Sequence, residues 1–94
     1  MLSRQIIELE EQIRGEKITF EQLPPDVQKI LDSSGMYKSI IDRIWSGSGF
    51  YMIYSSFAAI KKDRLEKLAR FPKLYEIRVD TLGTEPVLVI EIRK

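Results

Sequence analysis

Leu2, Ile6, Leu9 and Ile13 recur at spacings of four, three and four along the start of the chain, with Ile7 beside them and Glu8, Glu10 and Glu11 turned away. That period predicts an amphipathic helix over 3–14, capped by Ser3 and ended by Gly15. Two heptads are too few for a free-standing coiled coil, so the stripe needs either the domain core or a partner helix. Gly15-Glu16-Lys17 reads as a hinge behind it.

Thr19-Phe20-Glu21-Gln22 has the form of a capping box, and Pro24-Pro25 cuts the turn short. Pro25 suits the first turn of a helix over 26–32, with Val27, Ile30 and Leu31 as its buried face and Ser33-Ser34-Gly35 as its end. Over 36–45, Tyr37, Ile40, Ile41, Ile44 and Trp45 match i, i+3, i+4, i+7, i+8 and predict another amphipathic helix. Ser46-Gly47-Ser48-Gly49 then reads as a loop between a helical half and a mixed half.

Residues 50–54 are aromatic and β-branched, a short strand. The following helix has two candidate starts. Asp63-Arg64-Leu65-Glu66 favours a late one, while the shared face of Phe57, Ile60, Leu65, Leu68 and Phe71 favours an early one, which is the start expected here. Pro72 ends it. Residues 74–81 alternate, with Tyr75, Ile77 and Val79 opposite Glu76, Arg78 and Asp80. After a five-residue loop over 82–86, residues 87–93 alternate again, with Leu88, Ile90 and Ile92 on one side. The fold expected is α+β: two to three short N-terminal helices followed by a β-α-β-β unit with a small three-stranded sheet. Strand 50–54 would run parallel to its neighbour by the crossover rule. At 94 residues the chain fits a single domain, with a helical half at 1–46, a linker at 47–49 and a β-α-β-β half at 50–94.

Composition narrows the chemistry. The absence of Cys excludes disulfides and thiolate chemistry, and the absence of His removes the commonest general base and metal ligand. Thirteen Ile, many charged residues and no Asn give the chain a thermophile-like cast. The longest uncharged stretch, 44–60, is seventeen residues broken by two Gly, too short for a membrane span. Residues 1–4 lead into a charged stretch without the apolar run of a signal peptide, so a cytoplasmic location is expected.

Besides the charges on the two C-terminal strands, three features could carry function. The Ser46–Gly49 stretch has closely spaced glycines, but it follows a helix and precedes a strand, the reverse of a phosphate loop, and no P-loop Lys follows. Lys61, Lys62, Arg64, Lys67, Arg70 and Lys73 put six cations into thirteen residues. Residues 1–35 hold four basic and seven acidic groups, net −3, whereas 36–94 hold eleven and seven, net +4. With Tyr51 and Tyr54 as stacking aromatics, these cations form a candidate DNA or RNA surface. Their plainer reading is a solvated helix face with pairs such as Asp63–Lys67 and Glu66–Arg70. Glu76, Arg78 and Asp80 with Glu91 and Arg93 read as cross-strand ion pairs rather than catalytic carboxylates. The third feature is apolar surface. Leu2, Ile6, Leu9 and Ile13, with Trp45 at a helix end, are the residues expected to form a protein interface. The function expected is therefore a non-catalytic accessory subunit, docking through its helical half onto a protein partner or a second copy, within an assembly that handles nucleic acid. The alternative is direct nucleic-acid binding by the basic 61–73 helix. No enzyme activity, cofactor, metal, membrane or small-molecule substrate is expected.

Overall fold

The computed structural model describes residues 15–57 and 61–94. The expected helix over 3–14, with Leu2, Ile6, Leu9 and Ile13, lies outside the described residues. Five strands, β1 (Glu16–Ile18), β2 (Ile41–Ser46), β3 (Phe50–Ser56), β4 (Leu74–Leu82) and β5 (Glu85–Arg93), form one sheet in the order β1-β2-β3-β5-β4. Every neighbouring pair is antiparallel. Two helices, α1 (Pro25–Ser33) and α2 (Lys62–Ala69), join β1 to β2 and β3 to β4.

The capping box forms, but around a single 3-10 turn, Phe20–Gln22, in which Gln22 Oε1 accepts the Thr19 backbone N–H at 2.8 Å. Pro25 then opens α1 at its first turn, where a missing N–H costs nothing. The helix ends at Gly35, whose φ of +84° lets the Met36 N–H reach back to the Leu31 carbonyl at 2.8 Å. A Cβ on Gly35 would also sit 2.8 Å from Arg64 Nε, so the glycine provides the close approach of α2 to the end of α1.

Both helices lie on one face of the sheet. Leu23, Val27, Leu31 and Met36 from the α1 segment and Leu68 from α2 pack on Ile44, Ile53, Leu88, Ile90 and Ile92. These strand residues come directly from the period-2 alternation, and each fully buried Leu or Ile contributes about 1.5–3 kcal/mol of transfer free energy. The expected alternation of 88–92 holds.

The helix-rich architecture does not. The sheet has five strands rather than three, and the described residues contain only two α-helices. The largest correction concerns 36–45. Its helical spacing belongs to a 3-10 turn, Lys38–Ile40, followed by strand β2. A strand buried on both sides places consecutive apolar residues inward and outward, which imitates the i, i+3, i+4 pattern. Ile44 enters the helix-side core while Trp45 points to the opposite face. Gly47–Gly49 is accordingly no linker between halves. It is the tip of the β2–β3 hairpin, closed by the Gly47 N–H bonding the Phe50 carbonyl at 2.9 Å.

Helix α2 takes the later start, leaving Phe57 exposed after β3. The β4–β5 loop is two residues rather than five, with Gly83 at φ +65° between the paired Leu82 and Glu85. Strand β3 is indeed parallel to β4, but the hairpin returns β5 between them, so the neighbour of β3 is antiparallel.

Candidate interaction surface

The sheet face turned away from the helices carries its own buried cluster: Trp45, Tyr54, Val87 and Val89, with Met52 against them. All come from β2, β3 and β5, and no helix of the described residues contributes. Trp45 is 4% exposed and lies within a strand, so its ring is not presented to a partner as a helix-end residue would be. Its Nε1 is buried without a hydrogen-bond partner.

At one corner of this face three strand ends converge. Phe50 opens β3 opposite Arg93, and Tyr75 reaches them from β4. The Phe50 and Tyr75 rings are 5.1 Å apart at 56°, and the Arg93 guanidinium lies 5.1 Å over the Tyr75 ring. Tyr75 arrives there because β4 breaks register between Leu74 and Glu76, an irregularity that shifts it out of the alternation expected to place it beside Ile77 and Val79. Phe50 and Tyr75 stay 37% and 53% exposed despite this contact. Tyr and Arg are among the residues most enriched at binding hot spots, and here they lie in cation–π contact beside a tilted Phe ring.

Toward the middle of β4, Arg78 donates to Glu91 on β5 and lies 3.4 Å from Glu76. Burial opposes the charge on Arg78 more than any single partner favours it, but the Glu91 bond together with the charges of Glu91 and Glu76 holds the guanidinium pKa above its ordinary value. Of the expected cross-strand charges, Arg78 and Glu91 pair between β4 and β5, Glu76 meets Arg78 along its own strand, and Arg93 lies over Tyr75 instead.

The cations of 61–73 occupy the opposite layer. Lys61, Lys62, Lys67 and Arg70 are exposed, Lys62 is 3.8 Å from Glu66, and Arg64 lies against Gly35. Lys73 is 3.0 Å from Asp26 on α1, and that bond holds the Asp26 carboxyl below its ordinary pKa. Lys38 does the same to Glu21. Of the proposed stacking residues, Tyr54 is 1% exposed, and Tyr51 is half-buried under the Lys94 ammonium, 4.9 Å from its ring centroid. Tyr54 is thus closed to a base, and Tyr51 is already partly covered.

An open cavity of about 640 Å³ lies at the far end of the hairpins, lined by Asp42, Arg43, Ser55, Ser56 and Glu85 among others. Arg43 is engaged by Asp42 at 3.1 Å, and Ser55 Oγ is buried without a partner. Among the described residues no group of three acidic side chains is placed to hold a metal ion, and no helix is long and apolar enough to cross a membrane.

Sequence reasoning missed Phe50, Tyr75 and Arg93 as a unit. Phe50 and Arg93 were legible as strand ends, but nothing local marks the irregularity that brings Tyr75 to them. No family model matches this chain, and neither a curated protein nor a solved structure matches it.

Proposed function

We propose that the protein is a non-catalytic interaction subunit that docks onto a protein partner or a second copy of itself. The observation that carries this reading is the Phe50–Tyr75–Arg93 corner. Two large aromatic rings project from strand ends against each other, remain exposed, and carry an arginine over the tyrosine ring. Rigid aromatic anchors lose little side-chain entropy on binding and bury large apolar area, which is what a docking surface requires.

The test is a photo-crosslinking amino acid placed at position 75 of the full chain in living cells. A discrete protein adduct, lost when Phe50 is changed to Ser, supports the reading. Labelling no stronger than from the exposed control position Lys67 contradicts it.

Direct DNA or RNA binding is the second reading, favoured by the exposed Lys61, Lys62, Lys67 and Arg70 on α2. Such binding would weaken steeply with salt, through counterion release, and would disappear on changing Lys61, Lys62 and Arg64 together to Glu.

A further inference from the structure

We infer that β4 pairs with β4 of a second copy, antiparallel about a two-fold axis at Val79, so that two sheets continue into one. The inference rests on the reading of the chain as an interaction subunit and names one of its contacts. Among the described residues β4 is the outermost strand and is paired only with β5. Natural edges are blunted by short strands, prolines, bulges or charged side chains, above all Lys, and the charges of β4 are of both signs with no Lys among them. β4 runs for nine residues, and beyond its irregularity at Leu74/Glu76 it contains neither Pro nor Gly.

The register fixes which backbone groups are free. Leu82 and Glu85 close a two-residue turn and so form a hydrogen-bonded pair. Alternation then assigns Asp80, Arg78 and Glu76 to the β5 ladder and points the N–H and C=O of Ile77, Val79 and Thr81 outward. Two further bonds agree. The Arg93 N–H reaches the Lys73 carbonyl at 2.7 Å, which fixes the same phase on β5. The Thr81 N–H, outside the ladder, is taken by its neighbour Asp80 Oδ1 at 2.8 Å.

Charge selects the axis. A two-fold axis on Arg78 or on Asp80 sets like charges opposite each other, which is destabilising. An axis on Ile77 brings the irregular stretch at Tyr75 opposite Val79 of the mate. An axis on Val79 places Arg78 opposite Asp80 of the mate, and the reverse, on one face. It also sets Ile77 opposite Thr81 of the mate: the Ile77 N–H meets the Thr81 carbonyl, and the Thr81 N–H passes from Asp80 Oδ1 to the Ile77 carbonyl as Asp80 turns to Arg78. Val79, 55% exposed, then meets its own copy on the other face. Opposed residues share a face, so the axis is perpendicular to the sheet and both helix layers lie on the same side.

The native chain contains no Cys, so single cysteines report this register directly. Opposed Cα atoms at the axis lie within disulfide reach, whereas two Thr81 positions would be about 14 Å apart. Under mild oxidation V79C chains are expected to form disulfide-linked dimers and T81C chains to stay monomeric. An equal mixture of I77C and T81C chains is expected to give the mixed dimer. Because a variant can fail for reasons of folding, the mass of the unmodified chain is measured by light scattering alongside. A monomer at all concentrations overturns the inference, as does a dimer in which V79C links no faster than T81C. Either result leaves crosslinking at position 75, and with it the interaction-subunit reading, to stand or fall separately.

Discussion

Trp45 and Met52 stand directly opposite each other in the β2–β3 hairpin, on the sheet face that neither described helix reaches. Their neighbours Ile44 and Ile53 form the corresponding pair on the helix-covered face. The hairpin is therefore apolar on both sides, a pattern more often met in buried parallel strands than in antiparallel ones.

The indole is the only one in the chain, so it reports this burial without ambiguity. Intrinsic fluorescence is expected to show blue-shifted emission and weak acrylamide quenching, with both lost together on denaturation. Emission near that of free tryptophan in the folded chain would contradict the placement of Trp45.

Ser55 lies 1% exposed with an unpartnered hydroxyl next to Leu88. A buried polar group without a partner costs about 1–3 kcal/mol, and Ala removes the group while leaving little cavity. Ser55→Ala is expected to raise stability by about 1 kcal/mol in urea denaturation. A loss of stability would mean that the hydroxyl has a partner.

The Asp26–Lys73 bond ties α1 to the chain leading into β4. The bond holds the Asp26 carboxyl below its unfolded value of about 3.8, so its contribution is present above that pH and is lost as pH falls through the lowered folded value. Because the pair is exposed, the effect is small. Asp26→Asn is expected to lower the melting temperature slightly at neutral pH, with the difference fading as pH falls below the carboxyl's lowered folded value. A constant difference across that range would contradict the linkage.

Much of this fold was legible in the sequence where turn residues bound a pattern that fits one period. Leu88, Ile90 and Ile92 alternate behind Gly83 even though Val87 and Val89 are buried on the other face, and Pro25, Val27 and Leu31 mark α1 with its start and its face. Legibility failed where apolar neighbours also fit a helical period or where an element depends on distant pairing. Ile44 and Trp45 are adjacent and both buried, which a 3.6-residue period also produces. Glu16, Lys17 and Ile18 carry no strand signal of their own and become β1 only because Ser46, Trp45 and Ile44 lie opposite them. Pro86 read as part of a turn, yet it sits within β5 opposite Thr81, at a position from which the β4 ladder takes no N–H. The surface corner was the least legible part, since Tyr75 joins Phe50 through a break in register.

The most direct measurement is amide hydrogen exchange on β4, followed by NMR at low and high protein concentration. Arg78 and Asp80 bond to β5 within one chain, so their amides are expected to be protected at both concentrations. Ile77 and Val79 point outward, and their amides are expected to exchange fast when dilute and slowly when concentrated, as the second strand closes over them. Fast exchange of Ile77 and Val79 at every concentration would contradict the edge pairing and remove the two-fold contact from this account.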